Sequence, residues 1–566
     1  MSGIMKAVPF VALAALIIAM PSVWANWIQD GVALCTATGN QWLPTITSDG
    51  AGGAIITWYD ERSGSYDIYA QRMNASGAVQ WATNGVVLST ATGDQVYPQI
   101  TSDGARGAIV AWQDTGSVNW KIYAQRVDAL GAAQWATNGV ALCTAVGDQR
   151  APEIISDNMG GAIITWYDNR SGNADIYIQR VDPSGALQWT ADGLDLCTAP
   201  GDQSYPTLTS DGSGGAIVTW QDNRSGIYTD IYAQRVSDSG EVQWAANGVA
   251  ISTANMWQMY PMITSDGASG AIVTWMDNPS GYEYDISAQR VNAAGIVQWA
   301  TNGVTLCAVT GDQLHPQITF DEAGGAIVTW HDNRNGDMLD PQVDIYAQRV
   351  SALGAVLWAT DGVPLCTARL NQAYPMIISD GTGGAIVTWY DYRGGLWDIY
   401  AQRLNAAGSI QWQEDGVPLC TTMEAQMQPQ IVSDGAGGAI VVWYDYRNGS
   451  QTDIYGLRVD ANGFPPLTVA DAPIAAVELR QNYPNPFNPT TTVTYSIPEK
   501  CRVVLKIYDV SGRCIACLVD RQQEKGSYAV GWSGRDEKGK SVASGIYFCR
   551  LAAANQIISK KMVMLR

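Results

Sequence analysis

The chain has 566 residues, with 33 Lys+Arg against 53 Asp+Glu and a net charge of -20. A hydrophobic fraction of 46% against 15% charged residues excludes a disordered chain, and the acidity opposes phosphate backbones, so nucleic acid is not an expected partner. Trp 22 and Tyr 26 against Phe 5, with Gly 58, point to short strands and tight turns rather than long helices.

Residues 1–25 hold one lysine, Lys6, then an apolar run from Ala7 to Met20, then Val23-Trp24-Ala25. Small residues there suit a signal peptidase, and the run is shorter than the ~20 residues that span a bilayer. The expectation is a signal peptide over 1–25, a mature chain starting near Asn26 and an extracellular or outer-cell-surface address. No transmembrane segment is expected further on.

The middle is one unit written eight times. The string GAIVTW or a close variant ends at Trp58, Trp112, Trp166, Trp220, Trp275, Trp330, Trp389 and Trp443, at spacings of 54, 54, 54, 55, 55, 59 and 54. Each copy holds four short apolar segments, PQIT, GAIVTW, DIYAQRV and VQWxxxGVxL, bounded by Gly, Asn, Asp or Ser. Those are strand and hairpin signals. A four-stranded unit repeated at this length predicts an all-β fold, an eight-bladed β-propeller over 26–463. A Trp of the fourth segment recurs at Trp81, Trp135, Trp189, Trp244, Trp299, Trp358 and Trp412, and an eighth, Trp27, stands near the mature start. The last copy stops at Gly463 without a fourth segment. The N-terminal strand is therefore expected to close the last blade, the one begun near Gln428. An open solenoid would need polar caps, and none is visible.

Most recurring residues read as scaffold. SDGAGG supplies a turn needing positive φ. Cys35, Cys143, Cys197, Cys307, Cys366 and Cys420 share one position, with Ser89 and Ser252 in the other two copies. They read as small buried residues rather than bridges. An Asp two residues after each Trp (Asp60, Asp114, Asp168, Asp222, Asp277, Asp332, Asp391, Asp445) is followed in six copies by an Arg: Arg62, Arg170, Arg224, Arg334, Arg393 and Arg447. The expected role is an Asp that accepts turn amides and an Arg that neutralises it. Calcium is the alternative occupant, since a second Asp opens DIY in seven copies. No other cofactor is expected.

Function is sought where the copies differ. The Q-x-x-P and D-x-R-x-G segments read as loops on one face of the ring, and aromatics gather in them. Trp120, Trp257 and Trp397, with Tyr260 and Tyr374, are the candidate binding residues, able to stack on sugar rings or anchor a peptide. Copy six holds the only histidines, His315 and His331, and Asp332 follows directly, so these three are the candidate metal ligands. The carboxylates recur symmetrically, which disfavours catalysis, and no catalytic residue is assigned. The SDGAGGAIVTW string resembles the Asp-box of sialidase-like propellers only loosely, its Gly-to-Trp spacing being longer.

After Gly463 the text changes. Residues 464–477 read as a linker, and residues 473–566 carry 14 Lys+Arg against 7 Asp+Glu. TTTVTYSI, RVVLKIYDV, YAVGW, GIYFCRL and KKMVML suit a small antiparallel sandwich. NYPNPFNPTT, YDVSGR, GRDEKGKSVASGIYFCRL and the ending KKMVMLR make residues 478–566 similar to the type A C-terminal sorting domain of the type IX secretion (Por) system, a family overlapping the FlgD-like Ig-like domain. That resemblance implies recognition by outer-membrane secretion machinery. A bridge among Cys501, Cys514, Cys517 and Cys549 is open, and its pairing is unreadable. The expected function is a binding propeller displayed to extracellular polysaccharide or protein. A glycan-acting hydrolase or lyase is the alternative, and a structural or adhesion protein a further one.

Overall fold

The computed structural model describes residues 30–116, 118–336, 342–463, 477–480, 482, 485–523 and 526–565. The expected signal peptide, Trp27 and nearly all of the linker lie outside them. The described residues are all-β, and no helix among them is long and apolar enough to cross a membrane.

The eight copies form eight four-stranded antiparallel sheets. In copy four the strands are Gln203–Ser210, Ala216–Asp222, Asp230–Val236 and Val249–Ser252, from the inner edge outward. The first strand of each copy packs against the first strand of the next, and Gln426–Ser433 of copy eight packs against Gln41–Ser48 of copy one. The sheets thus form a closed, propeller-like ring, which buries faces that a lone sheet would leave wet.

The joint between chain ends is a strand. Val32–Cys35 pairs antiparallel with Asp453–Val459, setting Val32 opposite Gly456 and Cys35 opposite Ile454. Asp30 Oδ1 accepts from Thr421 N at 3.1 Å, and Arg447 donates to Asp30 O at 2.6 Å. Across the same seam Arg458 of copy eight donates to Ala75 O of copy one at 3.1 Å.

The second-strand Trp side chains have no exposed surface in any copy. Their rings are flat enough to fill the wedge between sheets and carry an N–H that must be met. In copy four Trp220 Nε1 donates to Asp222 at 2.8 Å, and Arg224 clamps the same carboxylate at 2.6 and 2.8 Å. The guanidinium also lies 3.7 Å from the Tyr232 ring centroid and 3.3 Å from Cys197 Sγ. The thiol is explained by that arginine. Each of the six Cys ends the outer strand of one sheet and meets the Arg of the next, and copies two and five, which follow Ser89 and Ser252 in the ring, lack the Arg. Those two copies leave Trp112 Nε1 and Trp275 Nε1 without a hydrogen-bond partner.

A second clasp, unread in the sequence, runs through all eight copies. The Arg of AQR pairs with the Asp of SDG, as in Arg72–Asp49 at 2.8 Å. It also donates to a carbonyl of the next sheet, Ala129 O, which Trp81 Nε1 shares. The Trp81 position is not in a strand, as expected, but in the turn before one. The fourth strand is only Val86–Ser89.

None of the ten cysteines is bridged. Burial pushes the thiols of Cys35, Cys143, Cys197 and Cys307 up to about 12. Under native conditions an alkylating reagent should therefore modify the exposed Cys514 and Cys517 and leave the six repeat cysteines untouched until denaturant is added. Peptide mass spectrometry reads this directly, and native labelling of Cys197 would contradict the packing.

The C-terminal unit has a sheet of Glu478–Leu479, Thr491–Ile497 and Gly526–Trp532, and a sheet of Cys501–Asp509, Cys514–Gln523, Gly545–Ala553 and Gln556–Met564. One core joins them, with Val493 and Tyr495 from the first and Leu505, Leu551 and Met562 from the second. Cys514–Gln523 is a strand that the sequence reading omitted.

Candidate functional site

Q-x-x-P is not a loop. It opens the innermost strand, whose inner edge has no ladder partner, and this is why a proline without an N–H is tolerated there. The buried Gln ties the strand to the preceding turn, as Gln203 Nε2 does by donating to Gly201 O at 3.0 Å. The register then slips between Ser204 and Thr207, a bulge repeated in every copy. The residue before proline takes positive φ, 55° at Tyr97, 51° at Tyr205, 52° at Tyr260, 53° at His315 and 52° at Tyr374. That backbone is uncommon for a bulky residue and is strained by about 1 kcal/mol or more. Its result is that these side chains are presented rather than packed under their own turn: Tyr97, Tyr205, Tyr260 and Tyr374 are all exposed.

Copies four to seven join these rings into a belt. Tyr205 lies 5.4 Å from Tyr260, Tyr260 6.2 Å from His315, and His315 4.5 Å from Tyr374, between ring centroids. Tyr374 stacks on Tyr390 at 5.3 Å, and Trp397 meets Tyr390 edge-on at 4.7 Å. Three of the five candidate binding residues, Tyr260, Tyr374 and Trp397, therefore belong to one surface. Trp257 packs apart from it against Tyr228 at 5.0 Å, and Trp120 lies under Arg150 at 5.5 Å. All three tryptophans are half-buried.

The two histidines meet, with ring centroids 4.8 Å apart, but Asp332 does not join them. Neighbouring residues on a strand point to opposite faces, and the Asp332 carboxylate is held by Trp330 Nε1 at 2.8 Å and Arg334 at 2.6 Å. Among the described residues no three His, Cys, Asp or Glu side chains gather as metal ligands. Burial lowers the His331 imidazole to about 3 and also lowers His315, so both are neutral at physiological pH. His331 Nδ1 is buried without a hydrogen-bond partner.

Inside the belt, in seven of the eight copies, the residue that follows the proline faces a space at the ring axis. Thr45, Gln99, Glu153, Met262, Gln317, Met376 and Gln430, from seven first strands, line a cavity of about 300 Å³ together with Pro44, Pro98 and Tyr97. Glu153 is its one carboxylate. Its Oε1 accepts from Gln99 Nε2 at 3.2 Å, and burial alone raises it to about 8. In its copy the rim residue is Ala151, so no ring stands where four of the other copies place tyrosine and one places His315. The sequence reading missed Glu153. The available signal was one acid in a position otherwise filled by Thr, Gln and Met.

Residues 487–556 match the family model of the FlgD Ig-like domain. No curated protein sequence matches the chain. Similar solved structures include a protein of unknown function from Dyadobacter fermentans DSM 18053, 10% identical with a TM-score of 0.38, spanning 76% of this chain and 97% of that one. Another is an ulvan lyase of polysaccharide lyase family PL25, 10% identical with a TM-score of 0.43, spanning 77% and 96%. A third is an alpha-L-arabinanase from Penicillium chrysogenum complexed with arabinobiose, 14% identical with a TM-score of 0.34, spanning 55% and 93%.

Proposed function

We propose that the chain is an exported eight-bladed propeller that binds polysaccharide on the face carrying the tyrosine belt, and that its C-terminal Ig-like domain serves as the sorting signal for outer-membrane secretion machinery. The observation that carries the binding reading is the run Tyr205–Tyr260–His315–Tyr374, set side by side along the ring with its three tyrosines exposed and His315 half-buried between them. Rings set by a bulge need no reordering on binding, and a series of them offers successive apolar faces to a chain of sugars. A glycan array of the mature chain identifies the ligand. Tyr260→Ala with Tyr374→Ala should then weaken it by at least about thirtyfold, the scale of removing a central aromatic anchor. Unchanged binding with unchanged unfolding temperature would remove the belt from the site.

One observation favours the hydrolase or lyase reading, namely the unpartnered His331 Nδ1 beside His315 and Tyr374. An imidazole held near 3 is a weak general base at neutral pH, so binding without turnover is the preferred reading. Glycan cleavage that vanishes in His331→Ala would reverse that preference.

A further inference from the structure

We propose that the axial cavity inside the tyrosine belt takes the ammonium group of an amino sugar, with Glu153 as its counter-ion. The inference rests on the polysaccharide reading and names the saccharide class. The cavity is walled by amides, thioethers and prolines, and Glu153 is its single carboxylate. Tyr97 is the other titratable group on that wall, and no Lys, Arg or His lines it. A cation entering from the belt passes tyrosine faces, which attract it, and meets a carboxylate. Only Gln99 engages that carboxylate among the described residues. A neutral sugar can offer that group only hydroxyl hydrogen bonds, and an anionic one offers it no counter-charge.

The size fits one sugar rather than a chain segment, since about 300 Å³ is the lower end of small-ligand sites. The access fits as well. Ala151, two residues before Glu153, is the smallest of the eight residues at that position, four of which are Tyr, so the rim is lowest in the copy that carries the acid. The acidity of the whole chain, at a net charge of -20, adds a favourable field for cations. Burial raises Glu153 to about 8, with no neighbouring charge contributing. The empty site is therefore protonated at neutral pH, and a bound ammonium displaces that proton.

Calorimetry on the mature chain tests this with two probes, the glucosamine tetramer with free amines and the N-acetylglucosamine tetramer. The expected result is about tenfold or greater preference for the free amine, the scale of one charge-assisted contact. Glu153→Gln should abolish the preference. It places in copy three the residue that copies two, six and eight already carry as Gln99, Gln317 and Gln430, so the ring should fold unchanged. Titration in two buffers of different ionisation enthalpy should show more proton release from the wild type than from Glu153→Gln, because both share the sugar's own titration. Glu153→Asp should retain part of the preference. Equal binding of the two probes, or a preference that survives Glu153→Gln, would overturn the ammonium site and leave the saccharide reading standing. Failure to bind either probe while neutral glycans bind through Tyr260 and Tyr374 would do the same. Failure to bind any glycan would overturn both.

Discussion

Asp222→Ala should destabilise the ring by about 3–5 kcal/mol, the scale of removing one partner from a buried ion pair. The carboxylate has no exposed surface. It holds Trp220 Nε1, both faces of the Arg224 fork and the Arg224 backbone N–H. Alanine would leave an indole N–H and a mostly buried guanidinium without their acceptor, pressed against Tyr232 and Cys197. The chain contains its own control. Asp114 of copy two accepts from Gly116 N at 2.6 Å and has no arginine beside it, and Trp112 Nε1 is already unpartnered. Asp114→Ala should therefore cost only about 1–2 kcal/mol, one turn hydrogen bond. Denaturant midpoints of the two variants, compared in one background, decide the matter. Equal losses would mean that the clamp contributes no more than the turn.

The same copies show what the sequence made legible and what it hid. Eightfold recurrence with β-branched and aromatic segments was enough to place the strands, because each segment repeats its neighbours' pattern and all of them must solve one packing problem. The missing fourth segment of the last copy pointed to the N-terminus for the same reason. The Q-x-x-P stretch was misread because proline and positive φ ordinarily end a strand. Here the strand is an edge facing the axis, where the lost N–H has no partner to lose. Arg72 and its equivalents went unread because a charged residue recurring in a strand looks like a solvated face. Burial against the next sheet, visible only in three dimensions, turns it into a clasp. The belt was half legible. Tyr260 and Tyr374 stood out by type, while the way a bulge aims them could not be read from spacing. The rings of His315 and His331 lie side by side, yet strand alternation and the commitment of Asp332 to Trp330 and Arg334 keep that carboxylate from joining them.

A chain beginning at Ala37 should be less stable than one beginning at Asn26 by about 5 kcal/mol or more, and it should aggregate where the longer one does not. Leu34 is 2% exposed and Cys35 1% exposed, packed in the core that spans copies one, seven and eight. A buried leucine contributes about 1.5–3 kcal/mol, and the lost pairing with Asp453–Val459 removes several hydrogen bonds of about 1 kcal/mol each. Gly31 lies flat on the Trp443 indole, where a Cβ would come within 2.7 Å of the ring, so the deletion also uncovers a tryptophan that is otherwise fully buried. Asp30 leaves with it, and Arg447 loses the carbonyl that completes its clamp. The freed edge of Asp453–Val459 is then a template for another chain. Light scattering and thermal unfolding measure the two effects, and a synthetic peptide covering 26–40 should restore both, since it supplies the missing strand in trans. A truncated chain that does not aggregate and melts at the parent temperature would mean that the first strand decorates the ring without closing it. In that case the stability of the belt and of the cavity would have to come from the inner strands alone, which already touch around the full circle from Gln41–Ser48 to Gln426–Ser433.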